Sequence, residues 1–261
     1  MKFAKKSLGQ NFLVDKNIIK KIINLIKIKD KHVIEIGPGT GALTKEILMK
    51  NPKSLILIEK DFQLARKLKD KYSDNRFIKV FNSDILKFDI EKFVLPNSII
   101  FGNLPYNISS QILIKFIKFK KWPPNYTNLI FMFQKELGEK ILGKHPSSHY
   151  GRLSIVSNFR LFTSDKFLIS PNCFFPKPKV TSMVINFLPR KKNYCKINKI
   201  NNLEYITNVF FSKKRKMINK SLYSILNTKK IKSIKELNLN SRPADLKPEI
   251  YYKITQLYET K

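Results

Sequence analysis

Between Lys31 and about Leu188 one pattern recurs: a short, continuous run of β-branched and apolar residues, then a longer stretch with helical spacing. Continuous apolar runs belong to strands buried on both faces, and their alternation with helices predicts a mostly parallel sheet covered on both sides. The predicted strands are His32–Gly37, Ser54–Glu59, Phe77–Asp84, Ser98–Asn103, Asn128–Gln134, Asp165–Ile169 and Ser182–Leu188. Gly41–Lys50, Asp61–Asp70 and Ile108–Phe119 are the amphipathic stretches between them, and Lys16–Ile28 is a leading helix with Asp15 as its N-cap. After Pro189-Arg190-Lys191-Lys192-Asn193 the strand signal stops. Only helical patterns follow, at Leu203–Phe211, Lys216–Leu226, Ile231–Leu237 and Pro248–Tyr258. The expected architecture is therefore an α/β domain over residues 1–189 and a small all-helical domain over 190–261. No repeat of fixed period is present.

The turn after the first strand reads Gly37-Pro38-Gly39-Thr40-Gly41. Glycines let a chain turn sharply and approach a ligand closely at the carboxyl end of a strand. The spacing is not that of dinucleotide enzymes, and Pro38 removes an N–H that a pyrophosphate would use. By itself such a loop is as readily a plain tight turn. The second strand, however, ends in Glu59, placed to accept from ribose hydroxyls, and the third in Asp84, placed to accept from an adenine amine. Three successive strand ends then suit an adenosine-containing cofactor without a pyrophosphate, and S-adenosylmethionine is favoured.

The fourth strand leaves the sheet through Asn103-Leu104-Pro105-Tyr106-Asn107. Asn107 is expected to cap the next helix. Capping does not account for Asn103 and Tyr106. An adenine N6 amine is a poor nucleophile because its lone pair is delocalised into the ring. Acceptors such as the Asn103 side-chain oxygen and the Leu104 carbonyl can grip its hydrogens and free that lone pair, while Tyr106 stacks on the base. Catalysis would be positioning and electrostatics, on a base taken out of its stack.

Asn103-Leu104-Pro105-Tyr106 resembles the Asn/Asp-x-Pro-Tyr/Phe signature of amino-directed adenine methyltransferases. Gly9 to Leu13, Glu35 to Thr44, Gln134-Lys135-Glu136, Tyr150 to Ser154 and Phe174 to Val180 narrow the resemblance, in order and across nearly the whole chain, to the small-subunit ribosomal RNA adenine dimethyltransferase family. The resemblance implies a seven-stranded Rossmann-like domain followed by a small helical one. The implied substrate is two adjacent adenines near the 3′ end of small-subunit (16S) RNA, free or in an immature 30S subunit. It further implies that Asn11 and Leu13 close over S-adenosylmethionine, that Gly37 and Gly39 form its loop, and that Glu59, Asp84 and Asn103 contact it. Phe174 would stack on the target adenine with Tyr106; without the resemblance it reads as a core aromatic before a turn.

Several positions where the family carries Arg hold Lys here, which lacks the bidentate fork for phosphate. Gly138, Glu139 and Gly143 depart from the family's usual pattern after Gln134-Lys135-Glu136. In the helical domain, Phe211 to Lys216 is similar to a basic helix start, either a phosphate-contacting patch or a solvated face. Arg242-Pro243-Ala244-Asp245-Leu246 follows near the end.

Composition sets the remaining bounds. With 51 Lys and Arg against 19 Asp and Glu the net charge is +32, which directs the chain toward polyanions. Lys, Ile and Asn crowd the whole sequence, so roughly half of the excess is assigned to RNA binding and half to genome composition. Cys173 and Cys195 read as reduced thiols, and His32, His145 and His149 show no zinc spacing. With no signal peptide and no apolar run of membrane length, the expected molecule is a cytoplasmic monomer that binds no metal. Three rival functions remain open. One is a large-subunit ribosomal RNA dimethyltransferase, which usually carries Asn-Ile-Pro-Tyr. The others are a DNA adenine methyltransferase and a non-catalytic ribosome-assembly factor of the same fold.

Overall fold

The computed structural model describes residues 9–191 and 195–260; the basic N-terminal run through Leu8, and Lys192 and Asn193 of the connector, lie outside them. In chain order the elements are β1 (Phe12–Leu13), α1 (Lys16–Ile23), β2 (His32–Ile36), α2 (Ala42–Leu48), β3 (Ser54–Glu59), α3 (Phe62–Lys71), β4 (Ile78–Asn82), β5 (Ser98–Asn103), α4 (Ser109–Ile117), β6 (Tyr126–Gln134) and α5 (Lys135–Leu142). There follow α6 (Arg152–Arg160), β7 (Leu161–Ile169), β8 (Phe174–Phe175), β9 (Ser182–Pro189), α7 (Ile200–Phe211), α8 (Asn219–Tyr223), α9 (Thr228–Lys232) and α10 (Pro248–Glu259).

Seven strands form one sheet in the order β4-β3-β2-β5-β6-β9-β7. Pairing is parallel from β4 through β6 and antiparallel between β6 and β9. The fold is the α/β, seven-stranded sheet expected. Its central strands are apolar throughout because both faces are covered: Leu55, Leu57, Ile100, Phe101, Leu129 and Phe131 have no solvent-accessible surface. The strand order reverses between β2 and β5, so the ends of these two strands flank the crevice where such sheets bind ligands.

The chain divides into two compact units, residues 1–138 with 163–189, and residues 139–162 with 190–261. The second unit is thus larger than the helical domain expected from residue 190 onward. It includes α6, whose Ile155, Val156 and Phe159 are buried, and Tyr252 of α10 donates to the Ile155 carbonyl at 3.2 Å. Helix α6 is buried on most sides but mixes Ser154, Ser157 and Arg160 with its apolar residues, so no clean stripe announces it in sequence.

Local chemistry accounts for several element boundaries. The Asp15 carboxylate accepts from Asn17 N and Ile18 N and starts α1, which stops at Ile23 rather than Ile28. Asn107 is not a cap: α4 begins after Ile108, which has no side-chain cap. The connection is instead a turn closed by Ile108 N donating to the Pro105 carbonyl at 3.1 Å. The Lys213–Lys216 run does not start a helix; it is an exposed turn just after α7. A Cβ at Gly138 would lie 2.8 Å from Met183 Sδ, and one at Gly143 would lie 2.4 Å from the His149 carbonyl oxygen. Close packing therefore explains both glycines. Among the described residues no helix is long and apolar enough to cross a membrane.

Candidate active site

The carboxyl ends of β2, β3, β4 and β5 open on one cleft, whose empty space including its solvent-open mouth is about 910 Å³. Gly37, Gly39, Glu59, Asp84, Asn103, Leu104, Pro105 and Tyr106 all line it, as does Asn11 from the N-terminal segment. Eight of these come from four separate strand ends and one from a fifth segment, and the sheet order brings them together.

Backbone freedom shapes the floor. Gly37, Gly39 and Gly41 have φ of +65°, +58° and +83°, which L side chains rarely adopt. At Gly39 the need is double, because a Cβ there would sit 2.9 Å from Phe12 Cε1. This loop conformation turns the Gly39 N–H onto Glu59 Oε2 at 2.9 Å, and Asp61 N donates to Glu59 Oε1 at 2.8 Å. Each oxygen keeps a second lone-pair position for a ribose hydroxyl. Burial pushes the Glu59 carboxyl upward, against those two backbone donations. Asp84 is held below the usual carboxylate range, chiefly by the Lys60 ammonium bonded to its Oδ2 at 2.9 Å. Its Oδ1 accepts from Leu86 N at 2.9 Å. Ile36, Ile58, Ile85 and Ile108 supply apolar walls suited to a flat base.

These features fit S-adenosylmethionine. Glu59 and Asp84 stand at the expected strand ends, where carboxylates can accept from hydroxyl and amine donors and give a cation a favourable setting within a strongly basic chain. Glu35 lies deeper, accepting from Thr44 Oγ1 at 2.6 Å; burial pushes its carboxyl up to about 7. It lines a smaller adjoining cavity with Leu13, Gly37 and Asn103.

At the end of β5 the Asn103 amide donates from Nδ2 to the Asn11 carbonyl at 3.0 Å. One Nδ2 hydrogen is thereby committed, which fixes the amide's orientation and leaves Oδ1 as its acceptor at the cleft wall. The Tyr106 hydroxyl is bonded to Ser182 Oγ at 2.6 Å. Gly102, just before Asn103, is required for space: a Cβ there would be 2.5 Å from Leu104 Cδ2.

Two expected residues stand elsewhere. Leu13 and Phe174 form a cross-strand pair between β1 and β8, and both are buried in the core cluster with Ile19, Ile22 and Ile23. Phe174 is 4% exposed and does not line the main cleft. The physical cause is the pairing: directly opposed residues share a face, which sends Leu13 and Phe174 inward and Phe12 with Phe175 outward. Phe12 was missed in the sequence. It lines the cleft and roofs Gly39, and strand alternation from Leu13 was the one signal that could have placed it there.

Comparison with known proteins agrees with this geometry. The family model described as ribosomal RNA adenine dimethylase matches residues 1–260. A ribosomal RNA small subunit methyltransferase A from Pelagibacter ubique is 43% identical over 98% of this chain and 97% of its own length. One from Malacoplasma penetrans is 38% identical over 97% and 91%. Among solved structures, a dimethyladenosine transferase from Plasmodium falciparum superposes with a TM-score of 0.75 at 25% identity, covering 93% of this chain and 95% of that one. The 23S rRNA methyltransferase ErmE, at 22% identity and a TM-score of 0.68 over 95% and 100%, shares the fold. The chain belongs to the ribosomal RNA adenine dimethylase family.

Proposed function

We propose that the chain methylates the N6 amines of two adjacent adenines near the 3′ end of small-subunit ribosomal RNA, each to N6,N6-dimethyladenosine, during ribosome biogenesis. S-adenosylmethionine is the cofactor. Bound in the cleft, it supplies a methyl group on a sulfonium centre. End-to-end identity to small-subunit methyltransferases favours that RNA over the large-subunit one.

The Asn103 amide carries the catalytic reading. Its nitrogen is held by Asn11, so Oδ1 accepts one N6 hydrogen while the Leu104 carbonyl accepts the other. Gripped this way, the nitrogen would turn its lone pair toward the methyl group that the bound cofactor would supply, and the amine's proton would pass to solvent. No covalent enzyme intermediate is needed, and the rate comes from positioning and prearranged acceptors. Tyr106 supplies the face on which the extruded base rests. Lys213, Lys214, Arg215 and Lys216, exposed after α7, are suited to phosphate contacts, which orient RNA without reading sequence. We expect the chain to act as a cytoplasmic monomer on immature 30S particles.

Asn103→Ala tests the reading against an assembly factor. We expect lost dimethylation with retained binding to unmodified 30S subunits; unchanged dimethylation contradicts the catalytic role.

A further inference from the structure

Ser182 opens β9 with no solvent-accessible surface, in a strand otherwise built of buried apolar residues and Asn186. A buried hydroxyl needs a partner, and here the partner is the Tyr106 phenol, 76 positions away in sequence, at 2.6 Å.

The sheet explains how the two meet. β6 lies between β5 and β9, with Gln134 of β6 in register with Ser182. Lys135 N donates to the Thr181 carbonyl at 2.9 Å, which fixes the start of β9 against the end of β6. Tyr106 leaves β5 through the Pro105 turn, and its hydroxyl reaches Ser182 two strands away. The other end of the residue is held too, since Ser109 Oγ donates to the Tyr106 carbonyl at 3.1 Å. Backbone and phenol are anchored independently, so the ring between them has one orientation at the cleft wall.

We propose that Ser182 is a positioning residue for the target adenine: by holding the Tyr106 hydroxyl it sets the plane on which the base stacks. The proposal rests on the role given to Tyr106 above. Burial pushes the phenol's pKa upward, so the hydroxyl stays protonated and serves as an anchor, not as a base. The family signature accepts Tyr or Phe at this position, consistent with a hydroxyl that orients the ring without entering the chemistry.

The test uses the full chain with unmodified 30S subunits, comparing Ser182→Ala, Tyr106→Phe and the double variant. Ser182→Ala should lower kcat/KM for the RNA substrate about tenfold, with KM for S-adenosylmethionine moving by less than about twofold. Tyr106→Phe should lose the same amount, and the double variant no more than either alone, because all three remove one hydrogen bond. Losses that multiply, or an equal rise in the cofactor's KM, would overturn the proposal. If Ser182→Ala does not fold, Tyr106→Phe decides alone: a loss confined to the RNA parameters supports it, and wild-type kinetics overturn it. Failure of the functional reading looks different. In that case the wild-type protein transfers no methyl group, and the target-base role of Tyr106 falls with it.

Discussion

Asn103 and Asn11 are joined by one hydrogen bond, 3.0 Å from the Asn103 side-chain nitrogen to the Asn11 carbonyl, across 92 positions of sequence. It ties the segment Gly9–Leu13 to the turn that follows β5. The same segment is held from the other side by the β1–β8 pair and by Val14 N donating to the Cys173 carbonyl at 2.8 Å. A strap that touches both the Gly37–Gly41 loop and Asn103 makes the two halves of the cleft depend on one another.

Phe12→Ala removes the ring that roofs Gly39. Phe12 is only half-buried, so global stability should change little. Affinity for S-adenosylmethionine should fall about tenfold through lost apolar contact. Calorimetric titration measures it, and wild-type affinity would show that the strap does not cover the cofactor.

Gly39→Ala adds a Cβ 2.9 Å from Phe12 Cε1 at a φ of +58°. The backbone term alone costs about 1–2 kcal/mol, and the clash adds to it. Cofactor binding should weaken by at least about tenfold. In the Phe12→Ala background the clash disappears and the φ penalty remains, so the added loss should be smaller. An equal loss in both backgrounds contradicts this account.

Asp84→Ala should raise KM for S-adenosylmethionine about tenfold with kcat little changed, as expected for a group that binds without reacting. Lys60→Met removes the partner ammonium from a pair exposed at 55% and 21%. Such pairs contribute at most about 1 kcal/mol, so thermal stability should hardly move. A large drop in melting temperature for Lys60→Met would contradict it.

Glu35 makes stability fall with rising pH. Its carboxyl is pushed up to about 7 in the folded protein, first by burial, from an ordinary value of 4.5. Between those two pH values the folded state keeps a proton that the unfolded chain has released. Stability therefore declines across that window by up to about 3 kcal/mol and levels off above it. Glu35→Gln keeps an acceptor for Thr44 Oγ1 and should flatten the slope. Urea unfolding at pH 5 and pH 8 measures the difference, and equal slopes in both proteins contradict it.

Much of this architecture was legible in residue pattern. Ser54–Glu59 and Ser98–Asn103 are strands at the expected residues, because continuous β-branched runs bounded by polar residues have few other uses. The cleft was legible from what stands at those strand ends. The two-residue strands β1 and β8 were not, since two residues carry no period. Their pairing is what sends Phe174 into the core. The turn at Pro105–Ile108 displaced the expected Asn107 cap because a backbone hydrogen bond closed it first. Membership of α6 in the second unit depends on contacts such as Tyr252 with Ile155, 97 positions apart, which local pattern does not encode.

The most direct test of the central claim is methyl transfer from labelled S-adenosylmethionine to 30S subunits from cells lacking the modification, followed by nucleoside analysis of each RNA. The account predicts N6,N6-dimethyladenosine confined to small-subunit RNA. Label on large-subunit RNA alone, or no transfer by folded protein that binds the subunit, would contradict it.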